Sequence, residues 1–143
     1  MTFDSLVVCK RRDQKDYSKA FEYYQMAAEQ NNPIALNNLG SLYFNGIGTN
    51  PDVQKAVALF TKAAELGNDN AAINLAFIYL KGGTKNQTRN KTAMDLFKKA
   101  ASSGNNVAKF MLGYAYYLGF VYEQNYDQAF KLIKSAAGNN SNL

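Results

Sequence analysis

The sequence predicts an all-α protein built from repeated pairs of helices. Three observations carry this prediction: one pattern of small and large apolar residues recurs every 36 or 37 positions, each half of the pattern has helical spacing, and only 2 of the 143 residues are proline. Hydrophobic residues make up 47% of the chain, enough for a packed core. We therefore expect helix pairs that stack in chain order, because no single pair can bury its apolar face alone.

Alanines set the register of the repeat. One half of each unit opens on an alanine, large apolar or aromatic residues follow three and four positions later, and a double alanine follows from the seventh. This is the i, i+3, i+4, i+7 spacing of one helix face. The opening alanines are Ala20, Ala56, Ala93 and Ala129.

The other half of each unit keeps the same register and ends on a glycine, the residue preferred where a helix closes in the left-handed region. Asn32-Pro33 predicts a helix start with an asparagine N-cap and a first-turn proline, and Asn50-Pro51 repeats that signal. Small residues between paired helices are expected to allow a close approach. The closing glycines are Gly46, Gly82 and Gly119.

These signals together predict seven helices in a modular chain. Residues 1–15 are interpreted as a partial or degenerate helix of a preceding repeat, and residues 138–143 as a tail or the start of a truncated next repeat. The array at 16–137 has units at about 16–46, 52–82 and 89–119 and a final helix at 125–137. The predicted helices are 16–30, 34–45, 52–66, 70–81, 89–103, 106–118 and 125–137.

Composition argues against several kinds of function. The chain has no histidine, which removes imidazole acid–base catalysis and the commonest transition-metal ligand, and its 1 cysteine cannot form an internal disulfide. We expect no catalytic site, metal or cofactor. A net charge of +5 is too mild to favour nucleic acid as the partner. No signal peptide or membrane-inserting segment is visible, which leaves a cytoplasmic location or secretion as an effector open.

The stretch ALNNLGSLYFNGIGTNPDVQKAVALFTKAAELG, Ala35 to Gly67, resembles the Sel1-like repeat, a relative of the tetratricopeptide repeat. The resemblance covers about residues 16–137 and implies a right-handed α/α superhelix that serves as a scaffold or adaptor. It also implies a fragment of a longer bacterial Sel1-repeat protein involved in signalling or host interaction. Leu39-Gly40 becomes Leu75-Ala76 in the next unit, and the single cysteine does not fit the disulfide-rich branch of the family.

The resemblance also indicates where a partner would bind. By analogy, the helices that end at the closing glycines, which we call the first-type helices, line a concave groove that holds a peptide or a partner domain. The aromatic candidates could equally pack between repeats, and exposed terminal faces could pair two copies. The alternative function is a small-molecule-binding or hydrolytic enzyme built on the same repeats. The candidate partner-binding residues are Asn37, Ser41, Ile73, Asn74, Phe77, Phe110, Tyr114 and Tyr117.

Overall fold

The computed structural model describes residues 3–81 and 85–138, with side chains from residue 16 onward. The described part of the chain is all-α, as predicted, and apart from the start of α1 its helix bounds agree with the prediction to within two residues. Gly82 and residues 139–143 of the predicted C-terminal segment lie outside the described residues. The helices are α1 (Phe3–Glu29), α2 (Pro33–Asn45), α3 (Val53–Glu65), α4 (Asp69–Lys81), α5 (Gln87–Ser102), α6 (Asn106–Leu118) and α7 (Tyr126–Ala136).

The N-terminal helix is longer than predicted. The sequence pattern separates residues 1–15 from a helix at 16–30, whereas α1 runs from Phe3 to Glu29 without a break. This stretch contains neither glycine nor proline, so no residue in it interrupts the backbone hydrogen bonds of a helix.

Of the two helix starts predicted from an Asn-Pro pair, one is confirmed and one is wrong. Asn32 caps α2, because its Oδ1 accepts a hydrogen bond from the Ala35 amide at 3.1 Å. The predicted cap at Asn50-Pro51 is wrong, since α3 begins after Asp52. The Asp52 carboxylate accepts a hydrogen bond from the Lys55 amide at 3.1 Å, so Asp52 is the N-cap residue of α3.

The chain divides into two compact units, Met1–Asn68 and Asp69–Leu143. In the first unit, α2 packs against both α1 and α3. The contact with α3 depends on Gly40, because a Cβ there would lie 2.8 Å from Cε1 of the Phe60 ring. The Phe60 side chain is itself buried, so the glycine provides the space that the ring fills.

In the second unit, α4 packs on α5, α5 on α6, and α6 on α7. Phe97 of α5 is fully buried within the core, and alanines surround it where the helices approach one another. We call this group the core cluster; its buried members are Ile73, Ala76, Ala93, Met94, Phe97, Ala100, Ala108 and Ala115.

Candidate functional site

Five aromatic side chains form a row on the surface of the second unit. They are between 43% and 59% exposed, and the centroids of successive rings lie 6.2, 6.4, 5.5 and 6.4 Å apart. Exposed apolar side chains that are contiguous mark interaction surfaces more often than isolated ones do. We call this group the aromatic row; it consists of Phe110, Tyr114, Tyr117, Tyr126 and Phe130.

Helical spacing places the rings, and the turn between α6 and α7 joins them. Phe110, Tyr114 and Tyr117 follow one another at intervals of four and three residues on α6, so they share one helix face. Gly119 closes α6 with a φ of 71°. In the turn, Gln124 Nε2 donates to the Tyr117 carbonyl at 3.0 Å and to the Tyr126 hydroxyl at 2.9 Å. This amide therefore ties the end of α6 to the start of α7.

A glycine brings α6 and α7 close together. A Cβ at Gly113 would lie 2.9 Å from Ile133 Cγ1, 3.0 Å from the Ala129 carbonyl oxygen and 3.1 Å from Leu132 Cβ. A larger residue at this position would therefore push the two helices apart. The close packing keeps the α6 and α7 parts of the aromatic row beside each other.

The repeat register separates two kinds of position in the row. Tyr114 corresponds to Phe77, 37 residues earlier, and the two side chains are 46% and 43% exposed. Phe110 corresponds to Ile73 in the same way, but the exposure is 47% for Phe110 and 7% for Ile73. The Tyr114 position is therefore open in both repeats of the second unit, whereas the Phe110 position is covered in the earlier one.

The amide and aliphatic candidates from the sequence fall in different environments. Asn37 and Ser41 are half-buried on α2 of the first unit, and Asn74 is half-buried on α4 of the second. Ile73 belongs to the core cluster, so it packs within the second unit and we remove it from the candidate site.

The aromatic candidates keep substantial exposure. Phe77 packs the edge of its ring against Phe97, with centroids 5.3 Å apart, and still leaves 43% of its surface exposed. Phe77 therefore contributes to packing within the second unit and also presents part of its ring at the surface. The structure brings the other three aromatic candidates, Phe110, Tyr114 and Tyr117, together in the aromatic row.

Sequence reasoning missed Tyr126 and Phe130. Both lie on α7, which is not a first-type helix, and so the groove analogy passed over them. A signal was present, because two aromatic residues four positions apart lie on one face of the same helix.

Tyr122 lies in the turn after α6 and packs its ring on Tyr116, with centroids 4.7 Å apart. Burial raises the pKa of the Tyr122 phenol, and nearby Tyr116 and Asp95 raise it further. Within the described part of the chain, the buried Tyr122 hydroxyl has no hydrogen-bond partner. Burying this hydroxyl without a hydrogen bond therefore lowers the free energy of unfolding.

The described residues form a depression in the second unit and no cluster of metal ligands. A depression of about 480 Å³ in the second unit is lined by two amides, one lysine and apolar or glycine residues, with no carboxylate: Gln87, Asn90, Lys91, Gly119, Phe120 and Val121. Among the described residues, no group of three or more histidine, cysteine, aspartate or glutamate side chains could hold a metal ion. None of the described helices is long and apolar enough to cross a membrane.

Solved structures of similar fold come from several bacteria. The chain is 29% identical to a Sel1 repeat protein from Oxalobacter formigenes, with a TM-score of 0.78 over 86% of this chain and 50% of that one. It is 34% identical to a protective antigen of uropathogenic Escherichia coli with an SLR fold, with a TM-score of 0.74 over 82% of this chain and 25% of that one. It is 28% identical to cysteine rich protein B of Helicobacter pylori, with a TM-score of 0.64 over 90% and 92% of the two chains.

A plant protein and a family model add sequence-level similarity. The chain is 46% identical over 44 residues to HRD3B, an ERAD-associated E3 ubiquitin-protein ligase component of Arabidopsis thaliana. The match spans 31% of this chain and 7% of the plant protein, so this chain corresponds to a small part of that relative. The Sel1 repeat model matches residues 13–32, 33–68, 69–105 and 106–141. Because three of the four matched segments each span one observed helix pair and the four together cover most of the sequence, the chain belongs to the Sel1 repeat family.

Proposed function

We propose that this chain is a protein-binding scaffold that holds an extended segment of a partner along the first-type helices of its second unit, α4 and α6. Sel1 repeats typically mediate protein interactions. The observation that carries the proposal is the matched exposure of Phe77 and Tyr114, which occupy one register position in successive repeats of the second unit. A large apolar side chain that stays open in both repeats is available to a partner in both.

The chemistry of α6 favours a segment with apolar side chains. Tyrosine offers a large contact area at a low cost in conformational entropy, and its hydroxyl can hydrogen-bond at the edge of the contact. Lys109 is the one charged residue of α6, and its Nζ donates to Ser135 Oγ at 3.0 Å. The exposed face that carries Tyr114 and Tyr117 is therefore uncharged. We infer that binding depends on burial of aromatic surface and only weakly on ionic strength.

The proposal assigns the protein-binding role that is typical of Sel1 repeats to one surface of this chain. Sel1 repeat proteins are generally non-catalytic scaffolds, and the aromatic surface described here suits binding rather than chemistry. The predicted role in signalling or host interaction stays a prediction from the resemblance, as do the identity of the partner and the use of Asn37, Ser41 and Asn74 as contacts.

A displayed library of random peptides tests the proposed surface while the natural partner is still unidentified. The immobilised chain should select peptides rich in aromatic and aliphatic residues, with dissociation constants that change little with salt. Tyr114→Ala should weaken the selected peptides roughly tenfold or more, as for an aromatic anchor at an interface. Phe77→Ala/Tyr114→Ala should weaken them further.

The control is Tyr23→Ala, because Tyr23 is 69% exposed on α1 of the first unit and lies outside the proposed surface. It should bind the selected peptides like the unmodified chain. Equal affinity of Tyr114→Ala and the unmodified chain would show that the surface is wrongly placed. A steep loss of affinity with salt would instead show that charged side chains of the peptides, and not aromatic burial, carry the binding.

A further inference from the structure

We propose that the segment held along α4 and α6 is an acidic polyproline II segment whose apolar side chains lie three residues apart. The inference rests on the proposed function and names the class of partner that this surface fits. The two anchors of the contact are Phe77 on α4 and Tyr114 on α6, and each ring receives one apolar side chain of the partner.

The anchors occupy a position that a neighbouring repeat leaves open. The helices α5 and α6 follow α4 in the same unit and share the core cluster with it. Phe77 nevertheless stays 43% exposed, and Tyr114, at the equivalent position of the next repeat, is 46% exposed. Stacking of a further repeat therefore does not cover this position. Ser41 holds it on α2, so the pair of rings belongs to the second unit.

Helix packing sets the distance between the anchors. The helices α4 and α6 both pack against α5, and buried residues of all three form the core cluster. Helices that pack around one core lie about 8–10 Å apart from axis to axis. Because Phe77 and Tyr114 hold the same register position, their rings are separated by about one such step, in a direction that crosses the helices.

This separation distinguishes the two extended backbone conformations. A polyproline II helix has three residues per turn and rises about 3.1 Å per residue, so side chains at i and i+3 share one face about 9 Å apart. In a β-strand, side chains on one face lie about 6.6 Å apart at i and i+2 and about 13 Å apart at i and i+4. Of the two, the polyproline II spacing places one side chain on each anchor.

The backbone of the segment favours the same conformation. A bound β-strand gains affinity from backbone hydrogen bonds to a sheet edge, whereas the described part of this chain offers helices and turns. A polyproline II segment keeps its backbone groups solvated and needs no such edge. Proline also restricts the free segment to the bound conformation, which lowers the entropy lost on binding, and proline-rich segments dock well on aromatic side chains.

Charge complementarity indicates that the segment is acidic. The second unit has nine lysine and arginine residues against four aspartate and glutamate residues, whereas the first unit has seven of each kind. The net charge of +5 therefore belongs to the unit that holds the anchors. Exposed Lys81 lies one helical turn after Phe77 on α4. Acidic residues on either side of the prolines are attracted to this unit, while the rings contact the apolar side chains.

Synthetic peptides of matched composition test the proposal by isothermal titration calorimetry. Each has two leucines, prolines at the other central positions and acidic residues at both ends. Leucines three residues apart should bind roughly tenfold more tightly than leucines two residues apart, because only the first pair reaches both rings. Glycine in place of the prolines should weaken binding roughly threefold or more. Lysine in place of the acidic residues should weaken it about threefold at low salt, and less at physiological salt.

Double-mutant cycles assign each leucine to one ring. For the leucine that packs on Tyr114, truncation to alanine and Tyr114→Ala should be non-additive, whereas truncation and Phe77→Ala should be additive. The other leucine should show the reverse pattern. Melting curves check the fold of both variants. Phe77 contacts Phe97, so if Phe77→Ala lowers the melting temperature, the cycle with the half-exposed Tyr114 carries the test by itself.

The outcomes distinguish failure of this inference from failure of the proposed function. Binding that depends on Tyr114 but prefers leucines two residues apart would overturn the polyproline II assignment and leave the scaffold surface in place. The same holds for tighter binding of a helical peptide with leucines seven residues apart, a span of about 10.5 Å. Equal affinity for acidic and basic peptides at low salt would overturn the acidic class. If Tyr114→Ala changes the affinity of neither these peptides nor the library peptides, both proposals fail.

Discussion

Replacing Gly113 by alanine would measure how closely α6 and α7 pack. The added Cβ would meet Ile133 Cγ1 at 2.9 Å and the Ala129 carbonyl oxygen at 3.0 Å, whereas ordinary contacts begin at 3.4 Å. The separation from the carbonyl must therefore grow by roughly 0.4 Å, the difference between 3.4 and 3.0 Å. This oxygen belongs to the backbone of α7, so the helix has to move as a body.

The expected cost follows from two opposing effects. Overpacking of a helix contact lowers the free energy of unfolding by about 1–3 kcal/mol. The higher helix propensity of alanine relative to glycine offsets up to about 1 kcal/mol of this loss. We expect Gly113→Ala to lower the free energy of unfolding by about 1–2 kcal/mol. For a chain of this size the melting temperature should fall by roughly 3–10 °C, measured by circular dichroism.

Ala76→Gly is the matched control, because Ala76 holds the same register position on α4 and is fully buried. This reverse substitution should also destabilise, by about 1 kcal/mol, since it lowers helix propensity and removes a buried methyl group. Opposite substitutions at equivalent positions should thus change stability in the same direction. A Gly113→Ala chain that melts at or above the unmodified chain would refute the close contact.

Two further substitutions test local features of the second unit. Asn105→Ala should cost about 1 kcal/mol, because Asn105 Oδ1 accepts the Ala108 amide at 3.0 Å as the N-cap of α6, whereas Asn106→Ala should change thermal unfolding little. Tyr122→Phe should leave the melting temperature unchanged or raise it by removing the buried hydroxyl, and a clear decrease would contradict the described environment. Above pH 10.0, the ordinary pKa, an unfolded Tyr122 ionises while the folded one resists, so the unmodified chain should lose more stability on alkaline titration than Tyr122→Phe.

The repeat and its helices were predictable because their signals are local. Helix periodicity and capping depend on residues within a turn or two of each other, and they placed α6 at its observed bounds. The failure at Asn50-Pro51 has a local cause as well, since Asp52 competes for the same helix start and its carboxylate reaches the Lys55 amide.

The candidate site was predictable only in part. The trio on α6 came from the analogy with related arrays, and helical spacing then places the three rings on one face of a first-type helix. Tyr126 and Phe130 were missed because their place beside that trio depends on the Gln124 bridge and on the contact at Gly113, which join residues of two helices. The analogy with related arrays addressed one helix of each pair and so left α7 out.

By itself, the sequence determined that the chain is an array of Sel1-type helix pairs, because alanine spacing and capping residues act within each helix. Only the tertiary structure decided which apolar side chains are exposed at the surface. Ile73 and Phe110 are both large, apolar and equivalent in register, yet one is 7% and the other 47% exposed. Exposure depends on which neighbouring helices cover a position, and that is a property of the packed array rather than of the residue.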